Sequence, residues 1–342
     1  MSNKITLQMI ADAAGYSKYV VSKTLNDQPG VKESTRERIL FVAKQLGYFK
    51  NNEQQIDVKG REKEGFVLVV MPNIRQQNFE SFYWSNVFNG IVDYLDELKI
   101  GFIVISHQDN LIEHVKAESL LGIITAGFVS TQMLLKLSQN SVPIVMVDHE
   151  DPIIKADKIF MDNLEGSRQL TEHLIGLGHE KICFVGDINF SPSFKDRWQG
   201  FRNAMEHNQL KVSESSLFDM DYATSTPVKQ QFSAQLQKWK EENTAHTALV
   251  CANDQIANGV IEVLIEQQYN IPEDISVTGF DNINYNLKLK PDLTTVHVLK
   301  ETIGRRAVSM LLWRLEHDQY PNEKIQIACE MIIRGSVAPP KK

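Results

Sequence analysis

The chain has 342 residues, enough for two or three domains, and its 42% hydrophobic and 23% charged residues are typical of globular proteins. No apolar run approaches the roughly 18 to 20 residues that cross a bilayer, and the first residues carry no apolar signal segment. Three widely spaced cysteines form no CxxC pair, which argues against a disulfide framework and against a zinc site. We therefore expect a cytoplasmic protein without membrane contact.

Charge is distributed unevenly along the chain. The whole chain has 36 basic and 43 acidic residues, a net charge of −7, but residues 1–50 hold 8 basic and 4 acidic residues, or 8 − 4 = +4. The rest of the chain therefore carries −7 − 4 = −11. A small basic module joined to a large acidic body is typical of nucleic-acid binding by one end. Chance clustering of charge on a solvated surface is the alternative. The sequence pattern inside the module distinguishes the two interpretations.

The first fifty residues predict three short helices. The segment TLQMIADAAG has Thr6 as its cap and ends at Gly15, where a glycine tolerates a sharp turn. A second helix, SKYVVSKTLN, follows the cap Ser17, and a third, ESTRERILFVAKQLGY, stops at Gly47. Two short helices around a glycine turn, braced by a third, predict a helix-turn-helix. An ordinary three-helix bundle with a lysine-decorated face is the alternative.

The second helix of such a motif enters the major groove of DNA, and its early residues reach base edges. Lys18 and Lys23 are suited to donate to guanine, while Tyr19 can contact a base edge or a phosphate. Hydroxyl and amide side chains near the helix ends suit phosphate contacts, which position without specifying sequence. The full set of candidate DNA contacts is Thr6, Ser17, Lys18, Tyr19, Val20, Ser22, Lys23, Asn26 and Thr35.

This module closely resembles the headpiece of the LacI/GalR family of bacterial transcription regulators. GYSKYVVSKTLN matches the family pattern G-x-S-x-x-T-V-S-x-x-L-N, with Val20 in place of the usual threonine. PGVKESTRERILFVAKQLGY matches the helix that follows it in the family. By this resemblance Lys18, Tyr19 and Lys23 fall at the three base-reading positions, and double-stranded operator DNA is the expected partner.

The resemblance weakens after residue 48. The family continues with x-P-N-x-x-A-R-x-L, a hinge helix that orders on DNA and wedges its leucine into the minor groove. Here Lys50 replaces the proline, two glutamines replace Ala-Arg, and Asp57 stands in place of the leucine. An aspartate is repelled by the negative potential of the minor groove. Either Ile56 or Val58 serves in a shifted register, or residues 51–64 are a plain linker.

From residue 65 onward, apolar runs alternate with helical stretches. The runs FVLVVMP, GFIVIS, LLGIITAGF, PIVMVDH, KICFVGD, TALVCAND and ISVTGFDN each suit a buried parallel strand. Strand–helix alternation predicts doubly wound parallel sheets, in which ligands bind beyond the carboxyl ends of the strands. Several of the runs end in polar residues, so a ligand is expected there.

The C-terminal half carries further family resemblance in HLIGLGHEKICFVGD, ANDQIANGV, IPEDISVTGFDN and LTTVHV. The resemblance implies an N-terminal helix-turn-helix headpiece followed by a periplasmic-binding-protein-like α/β core of two lobes with a small-molecule effector in the cleft. On the family's pattern the headpiece spans 1–50, with a hinge or linker at 51–64. The N-terminal core lobe takes 65–162 and 293–322, and the C-terminal core lobe takes 163–292 and 323–342.

The same resemblance assigns effector-binding roles. Arg197 in SPSFKDRWQGF matches an arginine that binds effector hydroxyl or carboxylate groups, and Asp281 in GFDN matches an acid that accepts from ligand hydroxyls. The remaining candidates are Asn253 at a strand end and the aromatic residues Tyr83, Trp84 and Tyr222. These groups together suit a sugar or sugar derivative. The alternatives are a surface ion pair for Arg197, a helix cap for Asp281 and plain core for Trp84.

We expect a bacterial, cytoplasmic and nucleoid-associated transcriptional regulator, a repressor in the main interpretation, that binds a near-palindromic operator as a homodimer or a tetramer. Two alternatives stay open: a ligand-binding protein, and a regulator controlled by a protein partner with operator specificity impaired at the hinge. No phosphate-binding loop, H-E-x-x-H or G-x-S-x-G occurs, so we expect no enzyme, no cofactor and no metal. The polar run Asp148, His149, Glu150 and Asp151 is interpreted as a solvated turn.

Overall fold

A computed structural model of the chain describes residues 5–26, 28–46, 48, 65–74, 77–78, 81–106, 119–222, 226–283 and 291–341. The segment 51–64, for which a hinge or a linker is predicted, lies outside the described residues.

The N-terminal module contains three helices: α1 (Leu7–Ala14), α2 (Lys18–Leu25) and α3 (Glu33–Gln45). The Thr6 hydroxyl accepts from the Met9 amide over 3.2 Å, and the Ser17 hydroxyl accepts from the Val20 amide over 3.3 Å. Gly15 ends α1 with φ of +74°, a left-handed conformation that glycine adopts without a steric cost. The predicted helix-turn-helix is therefore present, with the caps and the turn at the expected residues.

Strands and helices alternate through the rest of the chain. The first stretch contains β1 (Phe66–Val70), α4 (Phe82–Glu97), β2 (Gly101–Ile105), β3 (Leu120–Ala126), α5 (Thr131–Ser138), β4 (Ile144–Val147) and β5 (Asp157–Met161). The second contains α6 (Asn163–Gly176), β6 (Ile182–Gly186), α7 (Pro192–His207), β7 (Leu217–Asp219), α8 (Val228–Glu241), β8 (Ala248–Cys251), α9 (Asp254–Glu266), β9 (Ser276–Asp281) and β10 (Thr294–His297). The chain ends with α10 (Lys300–Glu316), β11 (Lys324–Ile327) and β12 (Glu330–Ile332).

The strands form two six-stranded sheets, ordered β11-β5-β4-β3-β1-β2 and β12-β10-β9-β8-β6-β7. Their central pairs are parallel, as in β1 with β2 and β8 with β9, while β12 runs antiparallel to β10. All seven apolar runs form strands, and β1, β2, β4, β6, β8 and β9 are buried along their whole length. Burial on both faces explains why the runs are continuous rather than alternating. The predicted doubly wound α/β core is confirmed.

The chain divides into two compact units. The first comprises Met1–Ile159 with Lys300–Ile325, and the second comprises Phe160–Leu299 with Gln326–Lys342. Residues 293–299, expected in the N-terminal lobe, fall in the second unit because β10 pairs with β9 and β12. The headpiece, expected as a domain of its own, falls in the first unit because its helices share an apolar core with that unit's sheet.

Candidate functional site

The reading face of helix α2 is open to solvent. The side chain of Tyr19 is 72% exposed, and Lys18 beside it is exposed as well. Partial exposure is shared by three further candidate DNA contacts, Val20, Ser22 and Lys23. The residues for which base contacts are predicted are thus accessible to DNA.

The other candidate DNA contacts lie at the helix ends. Thr6 and Ser17 are exposed, and each uses its hydroxyl oxygen to cap a helix. A capping hydroxyl that accepts one bond keeps its hydrogen to donate to a phosphate. Asn26 donates from Nδ2 to the Ser22 carbonyl over 2.8 Å, while Thr35, near the start of α3, is half-buried. The helix ends therefore present polar groups suited to a DNA backbone.

A second cluster surrounds Arg197 in the second unit. Its Nε donates to Oδ1 of Asn163 over 2.9 Å, its Nη1 to the carbonyl of Ala252 over 2.7 Å, and its Nη2 to Oδ1 of Asp281 over 3.1 Å. The guanidinium carbon lies 3.8 Å from the ring centroid of Phe280. Arg197 is only 3% exposed, so it is not a surface ion-pair partner, and Asp281 pairs with it rather than capping a helix.

The topology explains why these groups meet. Ala252 follows β8 and Asp281 ends β9, so both lie at the carboxyl ends of neighbouring parallel strands of one sheet, and Asn163 begins α6 of the same unit. Asp281 and Asn282 have positive φ angles of 105° and 52°. Backbone strain of this kind in residues other than glycine is concentrated at functional sites. The cluster therefore has the location and the strained backbone of a ligand site.

Aromatic rings lie next to the arginine cluster. Phe190, Phe194 and Tyr222 pack together, with centroid distances of 4.9 Å between Phe190 and Tyr222 and 5.6 Å between Phe194 and Tyr222. Phe194 also lies beneath the Arg197 guanidinium, 5.4 Å from its carbon to the ring centroid. The Ser191 hydroxyl fixes the start of α7 by accepting from the Phe194 amide. The second unit thus places apolar ring surface beside a charged pair.

Hydrogen bonds orient the polar edge of this aromatic group. Tyr222 donates from its hydroxyl to Oε1 of Gln255 over 2.7 Å and accepts from Nδ2 of Asn253 over 3.1 Å. Burial raises the pKa of Tyr222 to about 12, so the phenol keeps its proton at neutral pH. Asn253 also caps α9, since its Oδ1 accepts from the amide of Ile256 over 2.8 Å. The candidates Tyr222 and Asn253 are therefore in direct contact.

The remaining effector candidates, Tyr83 and Trp84, belong to the first unit. They occupy the first turn of α4, and their rings meet edge to face with centroids 5.0 Å apart. Both side chains are half-buried, so Trp84 is not plain core.

Sequence reasoning missed several residues at the strand ends. In the second unit these are Gln255 and the phenylalanines around Arg197, which carried no sequence signal. Asn163 belongs to one of the polar strand ends at which a ligand was expected, although it was not named as an effector contact. In the first unit, Gln77 accepts at Oε1 from the Phe128 amide over 2.5 Å and donates from Nε2 to the Phe128 carbonyl over 3.0 Å. Phe128 in turn meets His149 edge to face at 5.1 Å.

The interpretation of the polar run 148–151 as a solvated turn is wrong for two of its residues, since His149 and Asp151 are buried. Asp151 accepts from the Thr131 hydroxyl over 2.6 Å and from the amides of Ile153 and Ile154. Burial raises its pKa, but these hydrogen bonds outweigh burial and leave the pKa below its usual value. The carboxylate thus stabilises a turn and carries a negative charge at neutral pH.

Among the described residues, no three or more His, Cys, Asp or Glu side chains are grouped so that they could hold a metal ion. No helix in the described part of the chain has the length and apolar character to cross a membrane.

Known proteins resemble the chain in sequence. Residues 6–51 match the profile of bacterial regulatory proteins of the lacI family, and residues 171–337 match that of the periplasmic binding protein-like domain. The HTH-type transcriptional repressor PurR of Haemophilus influenzae (strain ATCC 51907 / DSM 11121 / KW20 / Rd) is 27% identical over 347 residues, covering 97% of this chain and 98% of the relative.

Solved structures agree in fold. A complex of the transcriptional regulator CelR with cellobiose has a TM-score of 0.67 and 23% identity, covering 97% of this chain and 99% of that one. The lac repressor dimer bound to operator and the anti-inducer ONPF has a TM-score of 0.67 and 21% identity, covering 98% and 100%. The chain therefore carries a DNA-binding domain of the lacI family of bacterial regulatory proteins, followed by a periplasmic binding protein-like domain.

Proposed function

We propose that this protein is a transcriptional repressor that binds a near-palindromic operator as a homodimer and responds to a sugar or sugar derivative. The observation that carries the proposal is the buried Arg197–Asp281 pair beside aromatic rings, in a chain whose other end presents an exposed reading helix. The protein acts in the bacterial cytoplasm on the nucleoid.

The DNA-binding part of the proposal is supported by the headpiece. Residues 1–50 carry a net charge of +4, whereas the rest of the chain carries −11, so the DNA backbone is attracted to the headpiece and repelled by the rest of the chain. Lys18 and Tyr19 extend from α2 into solvent, where a major groove can receive them. Two such headpieces in a homodimer read half-sites roughly 34–36 Å apart, and a tetramer would carry two such pairs.

The effector part is supported by the chemistry around Arg197. A guanidinium and a carboxylate held together offer donors and acceptors to vicinal hydroxyls, while the rings of Phe190 and Phe194 can pack on the C–H face of a sugar. Tyr222 and Asn253 add further polar contacts. The CelR structure of the same fold holds cellobiose. Tyr83 and Trp84 stay candidates on the family resemblance alone.

The experiment for DNA binding is selection of fragments of the source genome on the purified full-length protein at physiological salt. Retention of a few palindromic sites supports the dimeric repressor, and the genes beside them indicate which sugars to test. Uniform and salt-sensitive retention contradicts specific operator binding by the protein alone, and is the result expected if a protein partner or the atypical hinge controls specificity.

The experiment for the effector is a thermal-shift screen of neutral sugars and sugar phosphates. A true effector raises the melting temperature in a concentration-dependent way, since it binds only the folded state. The matched control is Arg202→Met, which alters an exposed arginine of the same helix as Arg197. The effector should still stabilise Arg202→Met but not Asp281→Asn, and equal stabilisation of both variants would contradict the proposed site.

A further inference from the structure

Two strand-end segments of the second unit carry aromatic rings of the arginine cluster. Strands β6 and β7 are parallel neighbours, with Gly186 opposite Asp219, so the segments that follow them leave the sheet at the same edge. Phe190 lies in the segment after β6 and Tyr222 in the segment after β7, and their ring centroids are 4.9 Å apart. We call Phe190, Phe194 and Tyr222 the aromatic wall. Its shape depends on how the two segments are held together.

A carboxylate of each segment accepts a hydrogen bond from the backbone of the other. Oδ2 of Asp187, the residue after β6, accepts from the Tyr222 amide over 3.2 Å. Oδ1 of Asp219, the last residue of β7, accepts from the Ile188 amide over 3.1 Å. The two bonds run in opposite directions, so neither segment can shift along the other without breaking one of them. Asp187 and Asp219 thus form a reciprocal clasp across the ends of β6 and β7.

Asp187 also shapes the segment that it begins. Its Oδ1 accepts from the Asn189 amide over 3.0 Å, and its carbonyl accepts from the Phe190 amide over 3.2 Å. An aspartate that bonds the amide two residues ahead forms a local turn. This turn leads the chain into α7, whose first turn carries Phe194. One aspartate therefore fixes Phe190 locally and Tyr222 across the clasp.

Tyr222 is held at both of its ends. Its hydroxyl bonds with Asn253 and Gln255, as described above, and its amide bonds with Asp187. The side chain is only 6% exposed. A buried ring that is held at both its backbone and its hydroxyl has one position relative to Asn253. The clasp therefore joins the aromatic wall to the polar groups that follow β8.

We propose that Asp187 and Asp219 are positioning residues for the effector, which hold Phe190 and Tyr222 in the geometry that binds a sugar ring without contacting the sugar themselves. A site whose rings are fixed before binding loses less conformational entropy on binding, so its affinity is higher. Carboxylates suit this role because charge-assisted hydrogen bonds to amides are stronger than neutral ones. The inference rests on the proposed function, since it assigns these carboxylates a role in effector binding.

The clasp itself is tested without a sugar, by amide hydrogen exchange resolved to single residues in the full-length protein. Asp187→Ala should accelerate exchange of the Tyr222 amide about tenfold, and Asp219→Ala should do the same for the Ile188 amide. The matched control is Asp274→Ala, because Asp274 accepts from a backbone amide over 2.7 Å ahead of β9 in the same unit. Exchange at Tyr222 and Ile188 equal to that in the control would overturn the inference.

The role in effector binding is tested by isothermal titration calorimetry with D-glucose, D-ribose, cellobiose and any further sugar that the thermal-shift screen identifies. Asp219→Ala should weaken sugar binding about tenfold. Asp219→Asn keeps an oxygen that accepts from the Ile188 amide, so its affinity should stay within about twofold of the wild-type value. Asp274→Ala should bind as the wild type does. Because Asp219 is exposed, Asp219→Ala should lower the melting temperature no more than Asp274→Ala does.

The outcomes separate this inference from the proposed function. Equal sugar affinity of the wild type and Asp219→Ala would overturn the inference and leave the proposed function standing. Equal weakening by Asp219→Asn and Asp219→Ala would also overturn it, because the charge of the carboxylate and not its hydrogen bond would then control affinity. Failure of the wild type to bind any sugar would contradict the sugar-responsive function, and the inference with it.

Discussion

Arg197 and Asp281 form an ion pair of 3.1 Å between side chains that are only 4% and 9% exposed. Each charge is removed from water and compensated by the other. The guanidinium donates two further hydrogen bonds, to Oδ1 of Asn163 and to the carbonyl of Ala252. Such a pair adds little net stability over an apolar replacement, but it is costly to break.

Replacing one partner of this pair should destabilise the fold. Arg197→Met removes the guanidinium that compensates the buried carboxylate of Asp281, and we expect a loss of about 3–5 kcal/mol in the free energy of unfolding. Urea unfolding followed by circular dichroism measures it. Arg202→Met on the same helix removes an exposed pair with Glu206 and should cost at most about 1 kcal/mol. Equal losses for the two variants would contradict the buried pairing.

Tyr19 should contribute to DNA affinity without contributing to stability. Its side chain is 72% exposed, so Tyr19→Ala should leave the melting temperature unchanged. Loss of a base contact should weaken specific operator binding by about 1–3 kcal/mol. Fluorescence anisotropy on a selected operator site measures the affinity. Tyr320→Ala is the control, since Tyr320 is 53% exposed and lies in the first unit outside the headpiece. Unaltered affinity in Tyr19→Ala would place α2 outside the groove.

Local sequence signals were sufficient for the strands and for the headpiece. Continuous apolar runs predict buried parallel strands because both faces of such a sheet are covered, and each of the seven runs forms one. Thr6, Gly15 and Ser17 predict the headpiece helices because caps and left-handed turns depend on neighbouring residues alone. The fold class could therefore be predicted from the sequence.

Contacts between distant segments could not be predicted in this way. The bond from Arg197 to Asn163 and the contact of Arg38 with Phe102 join residues far apart in the chain, and no spacing rule connects them. The assignment of 293–299 depended likewise on β10 pairing with β9. Arg197 and Asp281 could be named only through the resemblance to a family, which supplies such long-range information.

The stability of the second unit should depend on pH through His179. Its Nε2 donates to the Ala338 carbonyl over 2.9 Å and its Nδ1 lies 2.8 Å from the Thr247 hydroxyl. Burial lowers the pKa of His179 below its usual 6.5, although the bond to Ala338 opposes the shift. Below pH 6.5 the unfolded chain therefore binds more protons at His179 than the folded chain does. The contribution of His179 to the free energy of unfolding is complete above pH 6.5 and is lost as the pH falls through the folded pKa.

The measurement is urea unfolding between pH 7.5 and pH 5. The free energy of unfolding of the wild type should decrease towards pH 5. In His179→Gln this decrease should be smaller. The half-buried His246, whose pKa is also lowered by burial, accounts for a further part of the pH dependence, which should remain in His179→Gln. The exposed His207 serves as control, since His207→Gln should preserve the wild-type slope. An identical slope in His179→Gln would contradict this assignment.

Two glycines in the second unit should respond oppositely to alanine. A Cβ at Gly200 of α7 would collide with the backbone carbonyl of Leu164 in α6, so the two helices would have to separate. We expect Gly200→Ala to cost about 1–3 kcal/mol or more through overpacking. Gly176 ends α6 with no atom within 4 Å of the added carbon, and its φ is not positive. Gly176→Ala should therefore stabilise by about 0.5–1 kcal/mol, because alanine favours the helix and restricts the unfolded chain. Urea unfolding of both variants decides the matter, and destabilisation of similar size in the two would show that helix contact does not govern the effect.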